Sequence, residues 1–170
     1  MLKINEETKT MIFIGVDPGV NGAIAVIDDD LTVSVFQLKK HEIEDVLEKY
    51  AGRRAMACLE KVNATPQMGV VSAFTFGGAY AAVKTALRCF KIPFAEVAPT
   101  KWQSIYPLKR PPRGATSEER AAYKREHKRE LYRLAKDLFP AQCKSQDRAD
   151  ALLIMEYCRR GNERLNNGAR

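Results

Sequence analysis

Histidine is scarce: the chain of 170 residues has two, His41 and His127. Both fall on predicted surface helices, so neither a Ser/His/Asp nor a Cys/His arrangement is at hand for nucleophilic catalysis. Cysteine is nearly as sparse. Cys58, Cys89, Cys143 and Cys158 make no Cys-x-x-Cys pair and lie inside predicted elements, which argues against a zinc site or a disulfide framework and for buried free thiols. No apolar run reaches the roughly 20 residues of a membrane span. Residues 1–10 are polar, carry charges of both signs and have no signal-peptide core. The expectation is a soluble cytoplasmic protein that is not secreted, without repeats or low-complexity tracts.

What is present is one domain's worth of core and an uneven charge. With 45% apolar residues, 170 residues suffice for one cored domain and are too few for two ordinary ones. Residues 11–160 carry the pattern, flanked by a polar tail at 1–10 and a frayed one at 161–170. Between Lys101 and Lys136 there are eleven Lys and Arg against four Glu, a surplus equal to the whole net charge of +7. Lys101, Lys109, Arg110, Arg113, Lys124, Arg125, Lys128 and Arg129 form a footprint suited to a polyphosphate partner, although a solvated helix laced with Glu/Lys pairs has the same composition.

The chain is organised around 11–28. Met11 to Val16 is a short apolar run with little alternation, as in a strand covered on both faces. Pro18, Gly19, Asn21 and Gly22 then reverse the chain into a second strand, Ala23 to Ile27, and leave Asp17 where the central strand ends. Thr32 to Leu38 alternates as a third antiparallel strand, and the Asp28-Asp29-Asp30 triplet before it is a solvated turn. His41 to Ala51 reads as an amphipathic covering helix, and Ala55 to Leu59 as a strand closed by Glu60. Gln67 to Phe90 is apolar all round with Gly77-Gly78 inside. Such a helix is buried either within one subunit's core or between the sheet and a second subunit. Ile92 to Val97 is a fifth strand, followed by a short helix from Pro99. The Tyr106 to Ser117 stretch is a basic loop, Ser117 caps a long helix to Phe139, and Asp147 to Arg160 is the last helix.

Asp147 and Asp150 are three residues apart and share a helical face, where like charges repel unless a cation lies between them. The apolar Ala151 to Met155 that follows turns this helix start toward the core. If the first and fourth strands are neighbours, Asp17, Glu60, Asp147 and Asp150 converge. Four such carboxylates suit Mg²⁺ or Mn²⁺, and two ions about 4 Å apart can clamp an in-line phosphodiester displacement. Nothing in the sequence calls for an organic cofactor.

Taken together, Ile14-Gly15-Val16-Asp17-Pro18-Gly19 with Gly22, Leu59-Glu60, and Lys144-Ser145-Gln146-Asp147-Arg148-Ala149-Asp150-Ala151 resemble the RuvC-type Holliday-junction resolvases of the ribonuclease-H-like superfamily, especially their phage and plastid branch. The resemblance runs from about Met11 to Arg160. It implies an α/β fold with a five-stranded mixed sheet flanked by helices, a homodimer, and paired nicks across a four-way DNA junction that leave 5′-phosphate ends. It matches Asp17, Glu60, Asp147 and Asp150 to metal-binding acids, and Lys101 and Lys128 to basic residues near the scissile strand. The bacterial enzymes carry an aromatic residue three positions beyond the Glu, where this chain has Asn63. Phe74 and Phe76 are alternative groups for opening the base stack, or else members of the core.

Two other readings compete. A non-catalytic branched-DNA-binding protein on the same fold has no use for all four acids. An actin-like ATPase also has Asp-x-Gly after its first strand, but needs a second domain that 170 residues do not supply.

Overall fold

A computed structural model describes residues 11–19, 21–63, 68–108 and 114–168. The elements are β1 (Ile12–Asp17), β2 (Ala23–Ile27), β3 (Val33–Gln37), α1 (Ile43–Leu47, continued by a 3₁₀ turn Glu48–Tyr50), β4 (Ala55–Glu60), α2 (Val70–Cys89), β5 (Phe94–Val97), α3 (Pro99–Gln103), α4 (Ser117–Leu138) and α5 (Gln146–Gly168). The five strands form one sheet in the order β3-β2-β1-β4-β5. β1, β2 and β3 pair antiparallel, while β1–β4 and β4–β5 are parallel, so the sheet is mixed as expected. β1 is central, which accounts for its unbroken apolar run.

Period-2 alternation splits the core into two layers. Ile14, Val16, Ile24, Val26, Ala57 and Leu59 face α1 and the second half of α2, meeting Val46, Leu47, Val83 and Leu87. Phe13, Ala23, Ala25 and Cys58 face the other way, onto Leu152, Met155, Trp102 and Leu131. Helix α5 supplies most of that second layer, with Ala149 and Ala151 to Met155 fully buried. Its closest approach to the sheet is at Gly15, where a Cβ would stand 2.1 Å from the Met155 amide nitrogen. Only glycine lets the helix lie so low on β1. At α3's end, the Tyr106 hydroxyl donates to the Leu153 carbonyl at 2.7 Å, tying this turn to α5.

Several expectations change. Helix α4 is capped one residue earlier than the sequence suggests: Thr116 accepts from the Glu119 amide, and the Glu119 carboxylate accepts from the Thr116 amide, a reciprocal capping box. The stretch 161–168 is helical, not frayed, because α5 continues through it. Cys58, Cys143 and Cys158 are buried thiols, but Cys89 is exposed. Helix α2 is the largest departure. Its second half lies on the sheet, pinned where Tyr80 and Lys84 bond Glu96 of β5. Its first half projects, leaving Val70, Val71 and Phe74 80–86% exposed. By length and composition α2 is also long and apolar enough to cross a membrane, with mean hydropathy 1.3. Counting uninterrupted apolar residues misses this because Ser72, Thr75, Tyr80, Lys84 and Thr85 break the run.

Candidate active site

The alternation that builds the core also places the acids. Val16 of β1 pairs with Leu59 of β4 and both point to the α1/α2 layer, so the next residues, Asp17 and Glu60, stand side by side and point to the α5 layer. Helix α5 begins above that end of the sheet, with Asp147 and Asp150 in its opening turns. Each acid acts electrostatically on another: Asp147 on Asp17, Asp17 on Glu60, and Asp17 with Glu60 on Asp150. Acids from three separate stretches of chain thus share one electrostatic neighbourhood at one end of the sheet.

Their hydrogen bonds differ in a way that matters. Asp17 Oδ1 accepts the Gly19 amide at 3.1 Å, so the Asp-Pro-Gly bend fixes its rotamer. The same bend needs Gly22, where a Cβ would lie 2.1 Å from the Asp17 carbonyl oxygen. Glu60 Oε1 accepts the indole N–H of the fully buried Trp102 at 2.9 Å. Asp150 Oδ1 is buried and has no hydrogen-bond partner. Burial raises all three carboxyls: Asp17 goes up despite the opposing Gly19 bond, and Glu60 and Asp150 both reach about 7, with neighbouring carboxylates adding to the shift.

One cation opposes the trend. Lys128 of α4 favours the charged forms of Asp17 and Asp150. Its segment is braced on both sides. The Gln146 side chain donates to the Lys128 carbonyl at 3.0 Å. His127 stacks on Tyr123 at 5.4 Å and bonds the Gln103 amide oxygen through Nε2 at 3.2 Å, linking α4 to α3. His127 is therefore a half-buried linking group and not the mere surface residue that its helix position suggests. Lys101 stands exposed on α3, beside Trp102, and Lys124, Arg125 and Arg129 line the exposed face of α4. Arg129 pairs with Glu126 at 3.3 Å. Lys109, Arg110 and Arg113 lie outside the described residues.

Asp150 Oδ1 is the observation that tests the fit to a cation. A buried carboxylate oxygen without a donor, beside two further acids, has the chemistry of a hard-ion ligand waiting for charge. Among the described residues, however, no three His, Cys, Asp or Glu side chains are gathered into a finished ligand set. Like charges repel one another here, and Asp147 Oδ2 is engaged by Lys39 at 3.1 Å.

No family model matches the sequence, and no curated protein matches it. Solved structures do. RuvC from T. thermophilus in complex with a Holliday-junction substrate superposes with a TM-score of 0.58 at 17% identity, covering 89% of this chain and 96% of that one. A second T. thermophilus RuvC structure gives 0.54 at 16%, covering 89% and 97%. This chain has the RuvC fold. Within the RuvC fold, Asn63 is exposed three residues beyond Glu60, and Phe74, 85% exposed, does not belong to the core. Lys39, Trp102 and the His127–Gln103 link were missed by sequence reasoning. Lys39 and Trp102 meet acids 108 and 42 residues away, and no local pattern announces such pairings.

Proposed function

We propose that this protein is a metal-dependent, structure-selective DNA endonuclease that resolves four-way junctions by paired, symmetric phosphodiester cleavage, acting in the cytoplasm. The observation that carries the reading is the acid cluster with its unpartnered Asp150 oxygen, set beside the basic face of α4. The T. thermophilus RuvC structure that superposes on this chain is a complex with a Holliday-junction substrate, which supports the choice of substrate. Asp17, Glu60, Asp147 and Asp150 would hold Mg²⁺ or Mn²⁺, two per site. Held there, such ions would supply water activation and charge neutralisation at the leaving oxygen. The protein's own residues do the rest. The Gly19 bond fixes Asp17, the Trp102 indole fixes Glu60, and Lys128 brings positive charge to the acids where a phosphate would enter. Lys101, Lys124, Arg125 and Arg129, together with Lys109, Arg110 and Arg113, would hold flanking phosphates, with affinity falling as salt rises. Water attack that breaks the P–O3′ bond leaves 5′-phosphate and 3′-hydroxyl ends.

Paired nicks need two active sites, and α2 supplies the surface for a second copy. Val70, Val71 and Phe74 are exposed together on its projecting half, and Gly77 and Gly78 have no neighbour within 4 Å of where a Cβ would lie. An apolar stripe with bare backbone beside it fits close packing against an identical helix. Phe74→Glu is expected to weaken the homodimer tenfold or more by burying a charge in it, on the order of the cost of an unpaired group in an interface core. Sedimentation should show monomer, and junction nicks should become single and unpaired. A Phe74→Glu protein that stays dimeric and nicks in pairs would remove α2 from the interface.

The decisive assay compares a labelled synthetic four-way junction with linear duplex in Mg²⁺, Mn²⁺ or Ca²⁺. Symmetric nicks on the junction alone support the endonuclease. Junction binding without cleavage in any divalent ion supports the alternative, a branched-DNA-binding protein on the same fold.

A further inference from the structure

Lys39 lies two residues beyond β3, at the end of the sheet where Asp17 and Glu60 stand, and its Nζ is 3.1 Å from Asp147 Oδ2. We infer that Lys39 is a resident counter-ion that Asp147 exchanges for a divalent cation, and that the released ammonium then takes a phosphate of the DNA backbone. The inference rests on the endonuclease reading for its substrate, but not for the exchange itself.

Three features carry it. First, the pair is placed by structure and not by the chance reach of one long lysine side chain. Arg148, next to Asp147, reaches back to the Gln37 side-chain oxygen and the Gln142 carbonyl, both at 3.4 Å. Gln37 closes β3 and is 6% exposed, so this contact registers the end of β3 against the head of α5 and sets Lys39 opposite Asp147. Second, the pair is made to be broken. Its side chains are 42% and 35% exposed, in the regime where water competes and an ion pair contributes little. A hard divalent ion recruiting Asp147 together with its buried neighbours outcompetes one solvated ammonium. Third, the released lysine has somewhere to go. Lys128 of α4 favours the charged forms of Asp17 and Asp150, and Lys39 beyond β3 pairs with Asp147, so cations from two different elements serve the acids. A phosphodiester bound at the acids would have both lysines as candidate partners.

The exchange makes cation binding and DNA binding mutually reinforcing, and linkage requires the coupling to be readable from either side. The test measures Ca²⁺ affinity by calorimetry without DNA, and four-way-junction affinity by fluorescence anisotropy with and without Ca²⁺. It compares the unaltered protein with Lys39→Met and Lys40→Met. Lys40 is the adjacent exposed lysine and controls for the loss of one positive charge. Lys39→Met should bind Ca²⁺ about two- to fivefold more tightly without DNA, the range a partly exposed ion pair commands. It should also lose a similar factor from the gain in junction affinity that Ca²⁺ confers. Lys40→Met should show less than half of either effect. Equal behaviour of the two variants, or a Ca²⁺ affinity indifferent to Lys39, overturns the exchange while leaving the endonuclease reading intact. A protein that binds Ca²⁺ in a Lys39-dependent way but never cuts a junction keeps the exchange and loses the endonuclease.

Discussion

Asp17→Asn is expected to remove junction cleavage, by on the order of 10³-fold or more, with junction affinity held within about twofold. The substitution is nearly isosteric, and the asparagine side-chain oxygen can still accept the Gly19 amide, so the bend at the end of β1 survives. What disappears is a charge that Glu60 and Asp150 both sense. Binding should persist because the phosphate-holding residues belong to α3, α4 and the stretch between them, and not to β1. Single-turnover cleavage and anisotropy on the same junction check both halves. Retained cleavage would remove Asp17 from the chemistry. Lost binding would mean that the acid supports the fold or the DNA surface instead.

Asp150→Asn should do two opposite things: abolish cleavage and stabilise the metal-free protein. The Asp150 carboxyl is raised to about 7, first by burial and then by Asp17 and Glu60. A carboxyl whose folded pKa lies above its unfolded one binds more protons in the native state, so stability falls as pH rises from about 4 to about 7 and stays low above that. At pH 8 the metal-free fold therefore carries an unneutralised charge, and its Oδ1 makes no hydrogen bond that the substitution would lose. Removing that charge should add about 2 kcal/mol, or about 5 °C in Tm for a chain of this size. The gain should shrink toward zero near pH 4 to 5, where the native carboxyl is already protonated. Divalent ions should raise the Tm of the unaltered protein at pH 8 more than at pH 6, since protons compete for the same oxygens, and should raise the variant's Tm far less. Calorimetric melts at several pH values with and without Mn²⁺ read all of this. A variant less stable than its parent at pH 8 would mean that Asp150 is a structural acid.

Much of this arrangement is legible in the sequence because β1 and β4 are short strands whose last residues are acidic. Once the two are neighbours in parallel register, alternation places Asp17 and Glu60 together without further information. The Asp147/Asp150 spacing is legible for the same kind of reason, helical periodicity ahead of an apolar run. The first half of α2 is not. A helix apolar on all sides reads as buried, but periodicity carries no record of whether one chain or two does the burying. The partners that set the acids' properties are hidden as well. Trp102 reaches Glu60, and Lys39 reaches Asp147, only through the fold. His127 reads as surface in the sequence because its bonding partner, Gln103, sits on another helix, 24 residues earlier.

Crystals of the unaltered protein soaked in Mn²⁺ at pH 8 and measured at the manganese absorption edge test the central claim most directly. Anomalous peaks bounded by Asp17, Glu60, Asp147 and Asp150, with Asp150 Oδ1 among the ligands, are the predicted result. Manganese bound elsewhere, or none at that end of the sheet at saturating concentration, would contradict it.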